Sequence, residues 1–210
     1  MSLPMQISRN SSSQRQRGFT LVELMMTLAV AAIIMGVVLP GFNNLIQRTQ
    51  MAADFNQLLG DLAYARSEAV KANIAVSICP TADQSTCSGT DWTKDWLIFT
   101  DNDSNRDRDG ADTILRVRQA SSSDITITLS DFAEDGGIRF EGDGKFEDAD
   151  SASVGQMVVC DDRGATSAQG LSFSVYGQFR LMRDTNDSGV VDYIDDDGNS
   201  KDVTCPAEEG

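Results

Sequence analysis

Carboxylates and cysteines are the residues of this chain that can do chemistry. Asp and Glu total 32 against 17 Lys and Arg, four cysteines are present, and histidine is absent. Histidine triads and imidazole bases are therefore excluded, and zinc would have to rely on Cys and carboxylates. One carboxylate stands apart. Glu23 is the only charge in the apolar run 19–39, whose 21 residues would span about 31 Å as a helix. That length is close to the ~30 Å hydrocarbon core of a bilayer. An ionisable group there costs about 2.5 kcal/mol or more and marks a functional position.

Three acidic loops offer the oxygen ligands that calcium takes. The best starts at Asp184: Asp184, Asn186, Ser188 and Asp192 stand at ligand positions one, three, five and nine, with Gly189 at six. Asp195 replaces the bidentate Glu expected at twelve, which weakens or reshapes the site. The Asp195-Asp196-Asp197-Gly198 stretch overlaps it, and Asp101, Asp103, Asp107 and Asp109 form a rougher cluster. Turns rich in Asp, Asn and Gly also form without any ion. Calcium is thus the one cofactor to test. No catalytic constellation and no phosphate-cradling Gly-rich loop is present, so an enzyme is not expected.

The elements that must position these residues follow from periodicity. Residues 1–17 are Ser-, Gln- and Arg-rich, with Arg9, Arg15 and Arg17 and no acid, and read as a basic leader held in the cytoplasm. Its removal would deepen the net charge from −15 to −18, which opposes binding to nucleic acid and anionic lipid. Ala29-Val30-Ala31 would serve as a secretory cleavage site, but an acid four residues into the run is a poor start for such a signal. The helical pattern also continues past Gly36 and Pro40. Phe55, Leu58, Leu59, Leu62, Ala65, Ala69 and Val70 recur at three- and four-residue spacing, with Asp54, Gln57, Asp61, Arg66 and Lys71 mostly on the other face. Asn73 is an acceptable C-terminal cap.

From Ile74 the period changes to two. Strands are expected at 74–79, 96–100, 114–118, 125–129, 138–140, 157–160, 171–176 and 179–183, the last two joined as a hairpin through Gly177-Gln178. The fold class is α+β, one long helix packed on antiparallel sheets. Four segments result: a leader at 1–18, a transmembrane helix at 19–39, its amphipathic continuation at 40–73, and a β-rich domain at 74–210 with an acidic C-terminal tail. Trp92, Trp96 and Phe99 are expected in the core. Cys79, Cys87, Cys160 and Cys205 are an even set in a chain that crosses a membrane, so two disulfides are expected, with three connectivities open.

Arg17-Gly18-Phe19-Thr20-Leu21-Val22-Glu23-Leu24 resembles the cleavage and methylation signal of type IV pilins and type II secretion pseudopilins. Ala65-Arg66-Ser67-Glu68-Ala69-Val70-Lys71 running into Val76-Ser77-Ile78-Cys79 is similar to the GspH/FimT family of minor pilins. Trp96-Leu97-Ile98-Phe99-Thr100-Asp101, Ile114-Leu115-Arg116 and Cys160-Asp161-Asp162-Arg163-Gly164 follow in the same order.

The resemblance implies that a prepilin peptidase cuts between Gly18 and Phe19 and methylates the new Phe19 amine. It implies that Glu23 neutralises a subunit's terminal amine during assembly. Pairing recovers much of the cost that a buried carboxylate and a buried ammonium each carry alone, so the pair can select correct stacking. The Cys79–Cys87 and Cys160–Cys205 pairing fits the family. The partners implied are other major and minor pilins, the peptidase and an inner-membrane assembly platform. The location implied is a single-pass inner-membrane protein with a periplasmic domain that later enters the pilus. A pseudopilin of a type II secretion system is the alternative within the fold. DNA-uptake members share a Gly-Arg-x-Arg motif at the hairpin. This chain has Gly177-Gln178-Phe179-Arg180, with Arg183 following, so the first Arg is missing and the negative balance opposes DNA.

Overall fold

The computed structural model describes residues 18–119, 125–130, 136–146, 155–195 and 197–206, leaving aside the side chains of 37–41. The leader 1–17 and the tail beyond 206 lie outside the described residues. The chain divides into two compact units, 1–47 and 48–210.

The first unit contains the start of helix α1 (Leu21–Ala72). Its large side chains stay in the open: Phe19 is 83 % exposed, Leu21 73 % and Ile33 69 %. Among the described residues no helix is long and apolar enough to cross a membrane. The run expected to span, 19–39, enters 37–41, whose side chains lie outside the description.

In the second unit α1 buries Met51, Phe55, Leu58, Leu62, Ala65 and Ala69, the three-and-four spacing of one helix face. Two acids expected on the polar face are buried with them, Asp54 and Asp61. Charge alone puts Asp61 on the polar face, whereas its turn of the helix faces a sheet that carries arginines. Asn73 follows the helix at φ 54°, the left-handed conformation that Asn tolerates at a helix end.

Two antiparallel sheets follow. The first has the order β3-β2-β1-β5, from β1 (Val76–Pro80), β2 (Trp96–Thr100), β3 (Ile114–Arg118) and β5 (Ile138–Phe140). The second has the order β4-β6-β7-β8, from β4 (Ile125–Ser130), β6 (Gln156–Asp161), β7 (Gln169–Phe173) and β8 (Phe179–Leu181). A small hairpin, β9 (Asp192–Ile194) with β10 (Ser200–Asp202), was not expected, because its polar residues read as calcium ligands and turns. The β7–β8 connection is longer than two residues: β7 ends at Phe173, and Ser174 N–H donates to the Gln178 carbonyl at 2.8 Å.

The main core unites α1 with inner faces of both sheets, including Ile78, Ile98 and Phe140 from one and Met157, Leu171 and Phe173 from the other. The outer faces are covered as well. Cys79, Leu97 and Phe99 pack with Cys87 and Ile114 outside the first sheet, while Val158, Cys160, Met182 and Val203 pack outside the second with Val190, Val191 and Tyr193. Burial on both faces accounts for the unbroken burial along β1 and for the apolar run Trp96–Phe99 of β2, where an open sheet would alternate. Each outer cluster contains one disulfide, Cys79–Cys87 and Cys160–Cys205. The second ties the chain after β10 to β6.

Candidate functional site

The N-terminal site begins with Gly18 and Phe19, both exposed ahead of the helix. Thr20 caps it. Its hydroxyl accepts the Glu23 backbone N–H at 3.2 Å, and its carbonyl accepts from the Leu24 N–H at 3.1 Å. Thr20-Leu21-Val22-Glu23 therefore forms the Thr half of a T-x-x-E capping box, a signal legible in the chain. An acid in the first turn also suits the positive end of the helix dipole. The Glu23 carboxylate itself has no partner among the described residues. It remains available to a cation from outside the chain.

Asp61 is the opposite case. Its side chain is 0 % exposed, and four donors fill its two oxygens. Arg116 Nη1 at 2.8 Å and Arg118 Nη2 at 3.1 Å reach Oδ1, while Arg118 Nε at 2.8 Å and Trp96 Nε1 at 3.0 Å reach Oδ2. The Arg116 guanidinium also lies 3.7 Å from the Tyr64 ring centre. The hydrogen bond to Asp61 holds the Arg118 pKa above its ordinary value. Three elements, α1, β2 and β3, are thereby keyed to one carboxylate. Sequence reasoning missed this site because its members are 35 to 57 positions apart.

Arg66 makes a second tie from the helix. Its guanidinium donates to the Gly144 carbonyl at 2.9 Å and the Tyr176 carbonyl at 3.1 Å. Gly177 sits against this junction at φ 70°, and a Cβ there would collide with the Gly144 carbonyl oxygen. Gly177 is thus required by packing, whatever the residues after it bind.

The acidic loops differ in how their oxygens are used. In 184–195, Asp184 accepts the backbone N–H groups of Ser188 and Gly189, and Asp195 pairs with Lys201 at 2.7 Å. Asp192 Oδ2 accepts from Thr185 N–H and Oγ1 and from Ser200 Oγ, at 2.6 to 2.8 Å. The Thr185 hydroxyl leads the causes that lower the Asp192 pKa to about 2. Asn186 turns its amide N–H₂ toward Asp192 and Asp202, and Ser188 Oγ donates to Asp202. A cation here would have to displace Lys201 and rotate that amide. In the other loop, Asp101, Asp103 and Asp112 bring carboxylate oxygens within 4.8 Å of one another. Lost solvation and then the Asp109 charge raise the Asp103 pKa. Asp101 is nevertheless well satisfied by Ser77 Oγ and the Asn105 and Arg106 N–H groups. Arg180 and Arg183, the pair weighed for nucleic acid, are both exposed on and just after β8.

Comparison with known proteins adds four findings. A family model described as type II transport protein GspH matches residues 54–178. A second, the prokaryotic N-terminal methylation motif, matches 13–39. The fimbrial protein EcpC of Eikenella corrodens is 42 % identical over 43 residues, which are 20 % of this chain and only 28 % of that protein. The crystal structure of the Pseudomonas aeruginosa type IV minor pilin FimU superposes with a TM-score of 0.50 at 24 % identity, covering 65 % of this chain and 91 % of that one. The last establishes likeness of fold.

Proposed function

The chain belongs to the GspH family of type IV minor pilins and pseudopilins, and from that premise we propose that it is a minor pilin acting in pilus assembly, at initiation or in a tip complex, where it links other pilins. Its family and fold are those of structural pilins, which assemble into filaments and are not enzymes. The observation that carries the proposal is the state of α1 in the first unit. Large apolar side chains are open along 19–35, and Glu23 is the one charge among them, without a partner of its own. Such a surface is stable only inside lipid or against other apolar helices.

The mechanism follows. The peptidase removes 1–18 on the cytoplasmic face and methylates Phe19, leaving a terminal amine four residues from Glu23. The subunit waits in the inner membrane with its β-rich domain in the periplasm. The assembly platform then extracts it as α1 packs beside the helices of its neighbours. The Glu23 carboxylate meets a neighbour's terminal amine, and a slipped register would leave both charges unpaired in apolar surroundings. Glu23→Ala is expected to be cleaved normally yet to be missing from sheared filaments. Normal incorporation of that variant would sink the mechanism.

The description of the matching family as a type II transport protein keeps a secretion pseudopilin as the second reading. Gene deletion separates them: loss of twitching motility supports the pilus, and loss of protein secretion supports the pseudopilin.

A further inference from the structure

Arg180 and Arg183 stand out by what they lack. Among the described residues other guanidiniums of this acidic chain are engaged by acids: Arg116 and Arg118 hold Asp61, Arg139 holds Glu141, and Arg163 holds Asp161. The guanidiniums of Arg180 and Arg183 make no hydrogen bond or ion pair with the described residues, although both backbones are paired. Asp192, which lines the same groove, bridges to Arg183 through backbone only, and its carboxylate is committed to Thr185, Ser200 and Asn186. Among the residues lining the groove beside β8 the charged ones are Arg180, Arg183 and Asp192, a positive balance in a chain with 32 acids.

Between them lies Leu181, 58 % exposed, and across a groove of about 420 Å³ stands Ile194, 60 % exposed, beside Tyr193, with Ser172 also lining the groove. The backbone is open there too. Met182 N–H donates to the Gly170 carbonyl at 2.8 Å, so the antiparallel alternation turns the Phe179 and Leu181 amides and carbonyls away from β7. Just beyond, Asp192 N–H donates to the Arg183 carbonyl at 3.0 Å, so β9 already uses this edge one step further along.

We propose that this groove docks an extended acidic segment of a neighbouring pilin. An apolar side chain of that segment lies against Leu181 and Ile194, carboxylates on either side reach Arg180 and Arg183, and its backbone adds to the edge at Leu181. The partner's identity as a pilin rests on the filament reading above; the chemistry of the groove does not. Duplex DNA fits less well. It has no use for the apolar walls, and two arginines release few counterions against a chain of net charge −15.

The test is a photo-crosslinking amino acid placed at Leu181 in the full chain in cells, with the same group at exposed Lys94 as control. The expected result is an adduct at Leu181 whose mass-spectrometric map falls on an acidic segment of another pilin. Arg180→Glu with Arg183→Glu should cut the yield at least tenfold, and Arg180→Lys with Arg183→Lys should restore most of it. Formation of the Cys160–Cys205 disulfide in each variant checks folding, and Arg180→Gln with Arg183→Gln replaces the reversal if that variant fails. No adduct above the control, a yield indifferent to charge, or a mobility shift of short duplex DNA that depends on the same arginines would each overturn the proposal. Membrane and sheared-filament fractions are scored separately. An adduct in the membrane from a chain that never enters filaments would defeat the filament reading and leave this one standing.

Discussion

Glu23 and Asp61 are carboxylates of the same helix with opposite surroundings. Asp61 is fully buried and receives four donors from Arg116, Arg118 and Trp96, whereas Glu23 is exposed among exposed apolar side chains and its carboxylate meets nothing in the described chain. A buried charge must be neutralised by the fold that buries it, or the fold is strongly destabilised. A charge left open on an apolar surface costs the isolated chain little in water and becomes costly only when that surface is covered. Asp61 serves the folding of one chain, and under the proposed function Glu23 serves the meeting of several.

The largest test breaks the comparison at its intermolecular end. Glu23→Ala should lower the amount of chain in sheared filaments at least tenfold while leaving its thermal melt unchanged. A stability loss instead would make Glu23 a folding residue like Asp61.

At the intramolecular end, Arg116→Ala with Arg118→Ala strands the Asp61 charge and should cost about 3–5 kcal/mol in denaturant unfolding of the detergent-solubilised chain. Asp61→Ala removes the charge and leaves half-exposed arginines to water, so it should cost less, about 1–3 kcal/mol, chiefly for the unsatisfied Trp96 N–H. Equal costs would mean that burial of the charge is not the dominant effect.

Disulfide removal sharpens the same division. The Cys160–Cys205 bridge closes 45 residues and the Cys79–Cys87 bridge closes 8. In the chain-entropy model Cys205→Ser should cost about 4 kcal/mol and Cys87→Ser about 2.5 kcal/mol. Unfolding of the two oxidised single variants measures the order. Cleavage of the leader should be indifferent to both.

The smallest effect concerns a carboxylate between the two extremes. Asp192 is held by hydroxyl and N–H groups without a cation, and its pKa falls to about 2 from an ordinary 3.8. A depressed folded pKa means that its contribution is complete above about pH 4 and lost as the pH falls toward 2. The melting temperature of the native chain should therefore drop more steeply from pH 4 to pH 2 than that of Asp192→Asn. Parallel curves would remove Asp192 from the acid response.

Much of the fold was legible because it is written in local spacing. The helix through Ala72 and the eight strands before β9 follow from three-and-four and two-residue periods. The hairpin β9–β10 was hidden by its own composition. Asp, Ser and Lys carry no apolar alternation, and Val203 just after it packs in a cluster shared with the distant Cys160–Cys205 pair.

The sequence by itself carries the N-terminal motif, matched at 13–39, since Gly18, Phe19, Thr20 and Glu23 are close neighbours in the chain and need no distant partner to be recognised. It also determined that cysteines and carboxylates, not histidine, would carry any chemistry. Only the tertiary structure decided which acids face inward and which arginines stay free. Asp61 reads as a surface residue until β2 and β3 bring Trp96, Arg116 and Arg118 to it, and Arg180 and Arg183 read as ordinary surface charges until their neighbours prove to be occupied elsewhere. Charge pairing across 35 or more residues has no period, so packing alone reveals it.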